Sequence, residues 1–258
     1  MTLEALIFDV DGTLADTEEF HRQAFNAAFR EHGLDWHWNR PAYGELLHTT
    51  GGKERILRYI DSLGEPAERD AALRAQVPLV HRSKTRLFGE IVARTGKLRT
   101  GVERLLREAR DKGLRLALAS TTTPANVEAL LNSTLGDGAL GWFDAMVLGD
   151  QVVNKKPAPD VYLAALARLG LSAQRCVAFE DSSHGVKAAR AAGLYTVATP
   201  TFWTVDQNFS AAQLVLPSLG DPEHHLPDEG RRALRVPYLD LAELVRLHAA
   251  SLTEGKAA

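Results

Sequence analysis

The chain has one cysteine, Cys176, among 258 residues, which excludes an internal disulfide framework. That thiol falls inside an apolar run and is expected to pack as a small apolar group. An excess of either charge is also missing. Thirty Lys and Arg against 33 Asp and Glu leave a formal net charge of −3, no electrostatic footprint for nucleic acid. Long hydrophobic runs are lacking too. The first apolar run is short and ends at Asp9, so neither a secretory leader nor a membrane span is expected. Asn132-Ser133-Thr134 and Asn208-Phe209-Ser210 are then chance matches to a glycosylation pattern. Repeats, low-complexity tracts and zinc-ligand spacings are absent, and His224-His225 reads as solvated. What remains is a chain with 45% hydrophobic residues, enough for one large domain or two unequal ones. A cytoplasmic monomer without a membrane or nucleic-acid partner is expected.

The most informative feature present is Asp9-Val10-Asp11-Gly12-Thr13, directly after Ala5-Leu6-Ile7-Phe8. The apolar run reads as a buried β-strand. Asp disfavours strands, so neither carboxylate helps this one form. Asp9 and Asp11 alternate with Val10 and can leave the strand on one side. Gly12 lets the chain turn away. Alone, this would be an Asp-Gly turn.

Three further elements weigh against that plain reading. Leu114 to Ser120 is a second apolar run, followed by Thr121, Thr122, Thr123 and Pro124. Thr123 fits a helix N-cap and Pro124 its first position. Ser120 and Thr121 therefore lie where a helix N-terminus can bind phosphate. Lys155-Lys156-Pro157 forms a stiff basic loop before a helix running to about Leu169. Cys176 to Phe179 is another strand, ending in Glu180-Asp181-Ser182, with a helix from about Ser183 to Ala192 stopped by Gly193. Either Asp181 or Ser182 can cap it.

Four strand ends thus carry, in order, Asp/Asp, Ser/Thr, Lys and Glu/Asp. Parallel strands bring their C-terminal ends to one edge of a doubly wound α/β sheet, where ligands bind. Clustered carboxylates repel one another, so a hard cation is implied, and Mg²⁺ suits carboxylates, waters and a substrate phosphate.

This combination resembles the haloacid dehalogenase superfamily of phosphohydrolases, across nearly the whole chain and all four motifs. The resemblance implies a Rossmann-like core and assigns Asp9 as nucleophile and Asp11 as general acid and base. It places Ser120, with Thr121 and Thr122 beside it, on the transferring phosphoryl group. Lys156 corresponds to the motif-three lysine, with Lys155 adjacent. Asp9, Asp11, Glu180 and Asp181 would hold Mg²⁺, Asp181 most directly. A free Asp titrates at about 3.9, so an acid role requires a site that raises the pKa of Asp11.

Between Thr13 and Leu114 lies far more chain than a crossover needs. Its pattern is helical. Asp16 can cap a first helix, with Glu19 three residues on, and Phe20, Ala24, Ala27 and Ala28 form its apolar stripe up to Gly33. Ile56, Leu57, Ile60 and Leu63 mark a second helix, and a third is expected from about Glu68 to Ile91. Residues 16–95 then form a helical cap domain inserted into a core of residues 1–15 plus 96–258, as in many members of the superfamily.

Glu18 and His21 share one face of the first cap helix. They are either a solvated pair or substrate-site residues, and in similar enzymes a His at this spacing assists the general acid. Gly51-Gly52-Lys53, with Arg55 close by, can cradle a second phosphate at a helix start. Arg82 and Lys84 add positive charge; the plain alternative is the solvated face of a helix. These cap features resemble the CbbY branch, phosphatases that convert xylulose 1,5-bisphosphate, an inhibitor of the carbon-fixing enzyme Rubisco, to xylulose 5-phosphate. A mutase of the β-phosphoglucomutase type would share every core motif. A dehalogenase would not usually keep Asp at position 11, and a non-catalytic binder would not keep every catalytic position. No role follows for the stretch Thr201 to Pro237.

Overall fold

The computed structural model describes residues 2–254. Six parallel strands form one sheet: β1 (Ala5–Phe8), β2 (Arg115–Ser120), β3 (Ala145–Leu148), β4 (Cys176–Glu180), β5 (Tyr195–Ala198) and β6 (Leu214–Val215). Their spatial order is β3-β2-β1-β4-β5-β6. The expected doubly wound sheet is therefore observed. Apolar residues on both faces make it possible. Leu6, Phe8, Leu116, Leu118, Val177 and Phe179 face one buried cluster, while Ile7, Ala117, Ala119, Cys176 and Ala178 face the other. Cys176 is a buried free thiol, as expected.

The chain winds outward from β1 to β3, then returns to place β4 on the other side of β1. That reversal opens a crevice at the C-terminal ends of β1 and β4, where open α/β sheets bind ligands. Both acidic motifs end there.

Four helices follow β1 directly: α1 (Glu18–Glu31), α2 (Arg40–Leu46), α3 (Gly52–Leu63) and α4 (Ala67–Thr95). Five more flank the sheet: α5 (Val102–Asp111), α6 (Pro124–Leu135), α7 (Asp160–Leu169), α8 (Ser183–Ala191) and α9 (Leu241–Glu254). Phe25, Phe29, Trp38, Tyr43, Ile56 and Ile60 give the first group an apolar cluster of its own. Phe88 and Val92 at the far end of α4 instead join the sheet's cluster.

Asp16 does not cap α1. The N-cap is Thr17, whose side chain makes no capping bond. Its hydroxyl donates to Asp11 Oδ1 at 2.6 Å instead, while Asp16 is exposed beside Arg99. The helix start gives up a cap to support the site. The other caps follow expectation: Thr123 accepts from the Asn126 N–H, and of Asp181 and Ser182 it is Ser182 that caps α8, accepting from the Gly185 N–H.

Candidate active site

β1 and β4 carry Asp9, Glu180 and Asp181 to one point. One oxygen from each lies within 4.8 Å of the others, and all three residues are buried. Lys156 does not come from a strand end. β3 stops at Leu148, and the loop that follows returns Lys156 under the acids. Its Nζ donates to Asp9 Oδ1 and to Glu180 Oε1, both at 2.6 Å. Tyr162 on α7 also donates to Glu180 Oε1, while Glu180 Oε2 is buried without a partner. Lys155 turns the other way, to Glu54 at 2.7 Å and Asp150 at 2.9 Å. The structure thus separates the two adjacent lysines.

Burial raises the Asp9 pKa to about 7, despite the opposing charge of Lys156, with Glu180 and Asp11 adding to the rise. Burial and the charges of Asp9 and Glu180 push Asp181 well up too. The same acids raise Lys156 against its own desolvation. Three crowded carboxylates with one lysine remain short of positive charge. An all-oxygen donor set with an orphaned buried carboxylate oxygen fits Mg²⁺. Gly12 keeps the corner tight: its φ is +81°, and a Cβ there would stand 2.2 Å from Asp181 Oδ2.

Asp11 departs from expectation twice. Its carboxylate is not in the three-acid cluster but turns to Thr17 and to His21 Nε2, 2.8 Å away. Its pKa is also lowered, not raised. Burial alone would raise it, but the facing His21 ring, the Thr17 hydroxyl and the charge of Lys84 outweigh that. Lys84, buried on α4, lies 2.7 Å from His21 Nδ1. An ammonium can only donate, so Nδ1 accepts and Nε2–H faces Asp11. Desolvation lowers Lys84 to about 8 and also lowers His21, so the lysine carries the proton at neutral pH.

The remaining expected residues divide. Ser120, Thr121 and Thr122 line the same pocket, as do Glu18, Gly51, Gly52, Lys53 and Lys84. Lys53 is not free: its Nζ donates to Asp150 at 2.7 Å. Arg82 is exposed and lies outside this pocket; it lines a separate surface hollow with Lys53, His81 and Arg86, while Lys84 is buried.

Several residues of the site escaped sequence reasoning. Tyr43 donates to Glu18 Oε2 at 2.6 Å and accepts from Arg55 Nη1 at 2.7 Å. It sits on the short α2, whose signal was legible: Asn39 caps it and Pro41 follows. His81 lines the wall, and burial with the nearby Lys84 and Lys53 charges lowers it to about 3. Thr204 and Gln207 come from the unassigned stretch. Polar residues in an irregular loop carry no periodic signal.

Comparison with known proteins agrees with this geometry. The model of the haloacid dehalogenase-like hydrolases matches residues 3–193. The chain is 50% identical to the plasmid-borne protein CbbY of Cupriavidus necator over 253 residues, 98% of this chain and 99% of that one. It is 37% identical to a phosphorylated carbohydrates phosphatase of Thermotoga maritima, covering 74% and 82% of the two chains. Two crystal structures of CbbY from Rhodobacter sphaeroides match at 45% identity and TM-score 0.78, over 84% of this chain and 94% of theirs. One is a complex with phosphate; the other is a point mutant in complex with xylulose-(1,5)bisphosphate. The buried acids under one lysine thus sit in a chain that belongs to the haloacid dehalogenase-like hydrolases, a phosphatase akin to the CbbY proteins.

Proposed function

We propose that this enzyme hydrolyses a phosphorylated sugar, with xylulose 1,5-bisphosphate the preferred substrate and xylulose 5-phosphate the product. One observation carries the reading. A single pocket has Asp9, Lys156 and Asp181 on one side and Gly51, Gly52 and Lys53 on the other. Two phosphate-binding edges in one pocket suit a sugar with a phosphate at each end. Residues 16–95 act as the cap domain over a core of residues 1–15 and 96–258.

Asp9 attacks phosphorus and forms an aspartyl-phosphate, dividing one hard step into two. Lys156 offsets charge on the phosphoryl oxygens, and Ser120 and Thr121 donate to them. Mg²⁺ held by Asp9, Glu180 and Asp181 would supply the positive charge these acids lack and draw the phosphate toward Asp9. Asp11 gives a proton to the departing sugar oxygen. The incoming phosphate dianion raises the pKa of Asp11, which alone is low, and His21 steadies the carboxyl through Nε2–H. Asp11 then takes a proton from the water that attacks the aspartyl-phosphate. The protonated Lys84 fixes the His21 tautomer throughout.

The test is phosphate release across mono- and bisphosphorylated sugars and a small aryl phosphate. Release should stop with EDTA, return with Mg²⁺ and be fastest per unit kcat/KM for the ketose bisphosphate. A monophosphate as best substrate would remove the bisphosphate assignment. Turnover that requires a bisphosphate primer would point to a mutase.

A further inference from the structure

The stretch after β5 forms a folded loop rather than a tail. Its first N–H, of Thr199, donates to the Glu180 carbonyl at 2.7 Å, which ties it to the acidic strand. Arg99 holds its base by donating to the carbonyls of Thr199 and Pro200, and the same guanidinium binds the Gly12 carbonyl in the catalytic loop. Thr201 and Thr204 lock the turn: Thr204 Oγ1 accepts from the Thr201 N–H, and Thr201 Oγ1 from the Trp203 N–H. Gln207 Oε1 accepts from the Ser183 N–H at 2.8 Å, next to Asp181 and Ser182.

This fixed loop carries Trp203 across to the helical side. The indole meets the Tyr43 ring edge-on, with centroids 5.5 Å apart at 83°, and joins the helices' own apolar cluster. Phe202, 77% exposed, braces the indole from outside. Tyr43 is fully buried and its hydroxyl joins Glu18 to Arg55. Both of those line the pocket, and Arg55 Nε there is buried without a partner.

We infer that Trp203 is a positioning residue, a latch from the sheet side that holds Tyr43 and thereby sets Glu18 and Arg55 against the non-reacting part of the substrate. A carboxylate acceptor beside a guanidinium with a spare N–H suits the hydroxyls of a polyol chain. The inference rests on the proposed sugar-phosphate reading. It adds that selection among sugars depends on a residue that does not itself line the pocket. Aryl phosphates too small to reach Glu18 and Arg55 should not feel the latch.

Trp203→Ala should lower kcat/KM for the sugar bisphosphate about tenfold, mainly through KM, and leave a small aryl phosphate within about twofold. Trp203→Phe should recover most of the loss, because an aromatic edge returns to Tyr43. Equal losses on both substrates, or no loss on either, would overturn the latch. A readout without turnover keeps it testable if the alanine variant fails to fold or wild type hydrolyses neither ester. Acrylamide quenching of tryptophan emission should fall when xylulose 1,5-bisphosphate and Mg²⁺ are added to the Asp9→Asn protein, and should not change with inorganic phosphate. That protection should be absent when Trp203→Phe is combined with Asp9→Asn. Identical protection in the two proteins would contradict the inference. Hydrolysis of neither ester would sink the proposed function instead.

Discussion

The two walls of the pocket have opposite electrostatic problems. At the sheet edge, Asp9, Glu180 and Asp181 crowd around Lys156. On the helical wall, Lys53, Arg55, His81 and Lys84 stand against Glu18 and Glu54. Titration behaviour shows the contrast. Asp9 rises to about 7 on the acidic side, while Lys84 falls to about 8 and His81 to about 3 on the basic side. Burial drives each shift first, and like charges deepen it. A divalent cation on one side and an anionic group on the other would offset these like charges. On the proposed reading chemistry sits at the sheet edge and recognition on the helices, which also brace that edge, since His21 and Lys84 hold Asp11.

The largest effect that would sharpen this division comes from the acidic wall. Asp9→Asn should keep the fold and reduce turnover at least about a thousandfold for every phosphate ester, since an amide cannot form the acyl-phosphate. Steady-state phosphate release with excess Mg²⁺ measures it, and activity within tenfold of the parent would break the assignment.

Lys53→Ala tests the basic wall and should be substrate-selective. A charge-assisted contact is worth roughly 1.5–3 kcal/mol, but Lys53 must first leave Asp150, so the lower end applies. We expect about a tenfold loss in kcat/KM for the bisphosphate and almost none for an aryl phosphate. Equal losses would mean that the lysine serves only its contact with Asp150.

The smallest effect concerns acid stability. His81 is neutral in the fold, with its pKa at about 3 against the usual 6.5. The unfolded chain binds the extra proton between those values, so stability falls as pH drops below about 6.5. At pH 5.5 the cost is about 1 kcal/mol. His81→Gln should flatten the denaturation midpoint between pH 7 and 5.5; an unchanged slope would place the proton elsewhere.

How much of this was legible in the sequence differs between the walls in the same way. Asp9, Ser120, Glu180 and Asp181 end apolar runs whose length and flanks declare them, and parallel topology then makes them meet, while Lys156 reaches them through the loop after β3. The orientation of Asp11 was not legible, because it depends on Thr17 and His21 competing for its carboxylate after α1 has folded back. Tyr43 lay on a helix of seven residues, too short for a periodic signal despite its Asn39 cap. Arg82 and Lys84 looked alike as charges in sequence. Only their position around α4 separates the exposed arginine from the buried lysine. Trp203 belongs to a loop whose order comes from turns and from Arg99, which lies 100 residues before Thr199 in the chain.

The central claim is that Asp9 carries the phosphoryl group while Asp11 moves the proton. Asp11→Asn separates the two, because the nucleophile survives and proton transfer fails. After rapid acid quench with Mg²⁺ and an aryl phosphate, whose leaving group needs little protonation, mass spectrometry of the peptide containing Asp9 should show the added mass of one phosphoryl group, absent when Asp9 is also changed to Asn. An unmodified Asp9 peptide, with phosphate still released at the parental rate, would contradict the account.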